Sequence, residues 1–86
     1  MIKGKTATGF NYAIDEHKLD DMELFDLISE SEDNPMLSSK ILLKILGKDQ
    51  RQKLYDHCRT AEGNVPVEKT LNELAEIFEN SQPLKK

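Results

Sequence analysis

The chain has 86 residues, 37% hydrophobic and 33% charged, with three Phe, two Tyr and no Trp. That is one domain at most, burying roughly 64% of its unfolded surface in an aliphatic core. Sixteen acids against twelve bases leave a net charge of −4, a poor match to a phosphate backbone.

Residues 1–14 carry the period-2 alternation of half-buried strands, in Ile2-Lys3-Gly4-Lys5 and again in Phe10-Asn11-Tyr12-Ala13-Ile14. Thr6 to Gly9 supply turn chemistry, with Gly9 free to take positive φ. The reading is a β-hairpin with Phe10, Tyr12 and Ile14 on one face. A lone hairpin is marginal in water, so this one must lie on helices. Asp15 is an N-cap for a short helical turn through Leu19. From Asp20 the spacing is helical: Leu24, Leu27 and Ile28 form a stripe, Phe25 its shoulder, and Met22 falls on the far side.

A polar break at 29–34 follows, with Asn34 as cap and Pro35 in the first turn of the next helix. Met36 to Leu46 is the most apolar stretch and ends at Gly47, a C-cap position. Lys48-Asp49 reopens a helix to about Thr60 with a narrow stripe of Leu54, Tyr55 and Cys58. Pro66 opens the last helix, in which Val67, Leu71, Leu74, Ala75 and Phe78 form the inner stripe and Glu68, Glu73, Glu76 and Glu79 face outward. The expected fold class is α+β, mainly α: an N-terminal β-hairpin packed on a small bundle of about four helices. Residues 1–80 are expected to form a single domain, 1–14 as hairpin and 15–80 as helices, with 81–86 a frayed tail.

Charge is segregated along the chain. Residues 15–33 hold nine acids against Lys18, and residues 34–60 hold six bases against Asp49 and Asp56. The two segments either attract one another across the fold or steer a partner of complementary pattern.

The residues offer little chemistry. His57 and Cys58 are neighbours, about 100° apart on a helix, so they cannot face one substrate or metal together. Cys58 lies on the apolar stripe and reads as a small core residue. As the single cysteine, it excludes an internal disulfide and fits a reducing compartment. No ligand-spaced cluster, calcium loop or phosphate loop occurs. No catalytic residue, cofactor or metal is therefore expected, and no enzyme activity. No apolar run nears the ~18 residues of a membrane span, and no signal segment opens the chain, so the expected location is the cytoplasm. A helix-turn-helix from 36–46, Gly47 and 49–60 would turn Lys48, Arg51, Lys53 and Arg59 toward DNA. That makes a small DNA-binding regulator the rival reading, against which stand Asp49, Asp56 and the acidic remainder.

The segment Met36 to Leu46 carries most functional content. At about 100° per residue, Leu37, Ile41 and Ile45 make one face, while Met36, Leu42, Leu43 and Leu46 make another. The second face either packs in the core or is covered by a partner or a second copy of the chain. An exposed row of this kind is large enough to mark an interface. Met36, Leu42, Leu43 and Leu46 are thus the candidate partner-binding residues. Leu42→Asp and Leu46→Asp are expected to leave the fold intact and abolish partner binding.

Several segments in order carry a family resemblance. Lys3-Gly4-Lys5-Thr6-x-x-Gly9-Phe10 before Ile14-Asp15-Glu16, Leu19-Asp20-Asp21-Met22-Glu23-Leu24 and Leu42-Leu43-x-x-Leu46-Gly47 are the first three. Leu54-Tyr55-Asp56-His57-x-Arg59, Glu62-Gly63-x-Val65-Pro66-Val67-Glu68 and Glu76-Ile77-Phe78-Glu79 complete the set. Over residues 3–80 the chain resembles tail assembly chaperones of siphophages and prophages of Gram-positive bacteria. The resemblance implies a non-enzymatic protein of the host cytoplasm that keeps the tape-measure protein soluble during tail assembly and is absent from the finished particle. Family members occur in short and frameshift-extended forms, the extension recruiting tail-tube subunits, and this chain corresponds to the short form. Asn64 and the thin polar end after Asn80 depart from the pattern and leave the frameshift arrangement open. A minor structural tail component is a further alternative.

Overall fold

Alternation in the first fourteen residues produces two antiparallel strands, β1 (Ile2–Lys5) and β2 (Asn11–Ile14), with Ile2 opposite Ile14 and Gly4 opposite Tyr12. They belong to a computed structural model that describes residues 1–81. Gly9, at φ 100°, closes the turn by donating its amide to the Thr6 carbonyl at 2.9 Å. Phe10, Tyr12 and Ile14 are buried, as the alternation predicts. Tyr12 lies across Gly4, where a Cβ would run into its ring and hydroxyl. A side chain there would displace Tyr12 from the core.

Two short polar caps set the next helices. Asp15 Oδ1 accepts the His17 amide at 2.9 Å and starts α1 (Glu16–Leu19), while Asp21 Oδ1 accepts the Glu23 amide at 2.9 Å and starts α2 (Met22–Ser31). In α2, Leu24 is buried, Leu27 and Ile28 are half-buried, and Met22 and Phe25 are exposed. Asn34 caps a 3-10 turn at Pro35–Leu37 that leads into α3 (Ser38–Cys58).

Gly47 breaks α3 with φ 82° and ψ 169°, backbone that side-chain-bearing residues essentially do not adopt. The break is a reversal. On a straight helix Ser39 and Tyr55 would stand about 24 Å apart, yet their hydroxyls are 3.1 Å apart. The arms 38–46 and 48–58 therefore fold against one another. Gln50 secures the corner: its Nε2 donates to the Leu46 carbonyl at 2.9 Å and the Ala13 carbonyl at 2.7 Å, and its Oε1 accepts the Ala13 amide at 2.8 Å. One side chain thus satisfies a carbonyl freed by the break and covers the backbone of β2, where an open strand edge would otherwise invite pairing.

The last helix, α4 (Val67–Ser81), is turned relative to its expected stripe. Thr70, Glu73, Leu74, Ile77 and Ser81 are buried, Leu71 and Phe78 are half-buried, and Val67 and Ala75 are exposed. The expected outward position of Glu73 is thus corrected. It is recruited inward by hydroxyls of the hairpin turn, described below.

The molecule is α+β and mainly α, a hairpin on a small helical bundle. Its least exposed side chains, Ile14, Ile41, Leu42, Ile45, Leu54 and Ile77, come from β2, both arms of α3 and α4 and form one core. The acidic α2 meets the basic α3 through Lys44, whose Nζ lies 3.1 Å from Asp21 Oδ2. That hydrogen bond, with the Glu23 amide, holds the Asp21 carboxyl below the usual carboxylate range. Among the described residues no helix is long and apolar enough to cross a membrane. Of the expected tail 81–86, Ser81 is helical and the rest lies outside the described residues.

Candidate functional site

The four expected partner-binding residues do not form one exposed row. Leu42 and Leu46 are 1% and 3% exposed, whereas Leu43 is 42% and Met36 85% exposed. The correction has a simple cause. The reversal at Gly47 folds the second arm of α3 onto the first, and the hairpin and α4 cover what remains, so a helix apolar nearly all round is buried nearly all round.

An apolar surplus is present nonetheless, displaced by one element. Met36, Leu42, Tyr55, Val65, Val67 and Leu71 line a groove of about 380 Å³ between the start of α3 and the start of α4. Leu42 is buried in its floor, and Met36 and Val67, the latter 71% exposed, stand at its rim. Two of the four expected residues, Met36 and Leu42, belong to the groove; Leu43 and Leu46 do not line it. The turn of α4 makes the difference, because it releases Val67 and Leu71 from the core stripe.

The groove is mostly apolar, with hydroxyls from Ser38, Ser39, Tyr55 and Thr70. Ser39 and Tyr55 both line it. The Arg51 guanidinium lies 5.7 Å from the centre of the Tyr55 ring and donates to Ser39 Oγ at 3.1 Å. Among the described residues Arg51 has no carboxylate partner. Arg59, by contrast, pairs with Asp56 at 3.0 Å and donates to the Gly63 carbonyl at 2.8 Å. Of the four cations of the DNA-facing reading, Arg59 is therefore neutralised within the chain.

No family model, no curated protein and no solved structure matches the chain. The site rests on its own geometry.

Other chemistry-bearing side chains are absorbed by the fold. Cys58 is buried, which pushes its thiol above the ordinary range. His57 points elsewhere, its Nε2 3.0 Å from Thr8 Oγ1 and its ring 5.6 Å from that of Phe10. Thr6 Oγ1 and Thr8 Oγ1 donate to the two oxygens of Glu73 at 2.8 and 2.9 Å, and the Ala7 amide donates to Glu76 Oε2 at 2.7 Å. This constellation clamps the hairpin turn to α4. Among the described residues no three His, Cys, Asp or Glu side chains converge as a metal site would need.

Proposed function

We propose that the chain is a non-enzymatic tail assembly chaperone of the bacterial cytoplasm, which binds and keeps soluble the tape-measure protein during phage tail assembly. The resemblance of residues 3–80 supplies the client. The observation that carries the reading is the groove, whose rim residues Met36 and Val67 are 85% and 71% exposed. A protein this acidic stays soluble through its charge while offering an apolar seat to a helical client. Small enzymes build enclosed sites with convergent polar groups; this groove is open and mostly apolar, and the polar side chains that line it are uncharged hydroxyls.

Co-expression tests the reading. Wild type is expected to hold the tape-measure protein of the same gene module in the soluble fraction. The double variant Met36→Asp/Val67→Asp is expected to stay folded and lose that effect. A tape-measure protein equally soluble, or equally insoluble, with and without the chain would sink the proposal. Presence of the chain in purified virions would favour a minor tail component instead.

A further inference from the structure

We infer that the groove seats a short amphipathic helix carrying a carboxylate beside its apolar anchors, and that Arg51 reads that carboxylate. The inference rests on the chaperone reading for the identity of the client and on the groove alone for its chemistry. A volume of about 380 Å³ admits roughly two or three leucine-sized side chains, the number that one face of a helix presents at i, i+3 and i+4. The walls are mostly apolar; Ser38 and Thr70 add hydroxyls, and that of Thr70 is already spent on the Pro66 carbonyl at 2.8 Å. Hydroxyls do not tell a carboxylate from an ammonium; a charged group does, and Arg51 is held against Ser39 and Tyr55 of the lining.

Arg51 is positioned in advance. One guanidinium nitrogen is spent on Ser39, with distances of 3.1 Å to its Oγ and 3.4 Å to its carbonyl, and the guanidinium carbon lies over the Tyr55 ring, 5.7 Å from its centre. The remaining N–H groups have no carboxylate partner among the described residues. A planar donor fork held against two residues of the groove lining, Ser39 and Tyr55, matches a carboxylate on the flank of a docked helix, and repels a lysine there. A second copy of the chain is a poorer occupant. A stable dimer needs about 800 Å² per partner, far more than a seat for a few side chains.

Two synthetic helical peptides test this, identical in their leucines at i, i+3, i+4 and i+7 and carrying either Glu or Lys at the flanking positions. Titrated into the full chain at low salt and followed by NMR, the Glu peptide is expected to shift Met36, Tyr55, Val67 and Leu71 saturably. It should bind roughly threefold to fivefold tighter than the Lys peptide. Arg51→Gln is expected to erase that preference while keeping the shifts. Equal affinities in wild type, saturable shifts centred on Met22 and Phe25 instead, or no saturable shift at all would each overturn the inference. So would shifts of the groove residues with protein concentration alone, which would assign the groove to a second copy. The peptide result is independent of the solubility assay. Glu-selective docking with no effect on the tape-measure protein leaves this inference standing and removes the chaperone reading; client solubility with no selective docking does the reverse.

Discussion

A carboxyl group only 5% exposed, on the face of a helix whose neighbours are leucine and isoleucine, needs partners to be tolerated. Glu73 finds them 65 and 67 positions away, in the hydroxyls of Thr8 and Thr6. Thr6 also accepts the Phe10 amide at 3.1 Å, so one hydroxyl serves both the turn and the helix. Thr8 directs its single hydrogen to Glu73 and can only accept from His57. Glu73→Ala leaves both hydroxyls without their acceptor and is expected to cost about 1–3 kcal/mol in urea unfolding. Thr6→Val is expected to cost about the same, and the double variant less than the sum, because the groups act as one network. Strict additivity would show instead that the clamp is two unrelated contacts. No local pattern announces this clamp. A glutamate among Glu68, Glu76 and Glu79 reads as one more solvated charge, and only the distant turn turns it inward.

The elements differ in how much of them local sequence determines. The hairpin was legible because alternation, a turn glycine and buried aromatics agree, and the caps at Asp15 and Asn34 because a short acceptor before a helix has one common use. The setting of α4 was not legible. Val67, Leu71, Leu74, Ala75 and Phe78 make a plausible stripe, but the helix turns to seat Glu73 beneath the hairpin turn, with Thr70 buried one turn before it, which exposes Val67 and opens the groove. Gly47 was recognisable as a helix end, whereas the reversal it permits depends on Ser39 meeting Tyr55 and Gln50 reaching β2. At φ 82° and ψ 169° any side chain is strained, although the space around a Cβ there holds nothing nearer than Lys18 Nζ at 3.9 Å. Gly47→Ala is therefore expected to cost about 1–3 kcal/mol through backbone strain alone. A D-alanine at the same position, introduced by chemical synthesis, should recover most of the loss in thermal melts. Equal destabilisation by both enantiomers would point to crowding and against strain.

For the whole molecule, the question is how an 86-residue chain can own both a core and a surplus of apolar surface. Its core draws on every helix and on β2, with Ile41, Leu42, Ile45 and Leu46 of one arm of α3 all within 3% exposure. Domains this size hold a margin of only about 5–15 kcal/mol at best, so that arm cannot also be the surface that meets another chain. The surplus lies where α4 stops short of covering the start of α3, at Met36 and Val67. The two sets of residues must then respond oppositely to the same chemical change. Leu42→Asp or Leu46→Asp puts a charge where no partner waits, a cost of several kcal/mol, and is expected to abolish cooperative thermal unfolding followed by circular dichroism. Met36→Asp and Val67→Asp meet water and are expected to stay within about 0.5 kcal/mol of wild type. A Leu42→Asp chain that still melts cooperatively near the wild-type temperature would mean that the first arm of α3 can turn its leucines outward. The groove would then be one face of a helix that rotates, and the division between core and docking surface drawn here would fail.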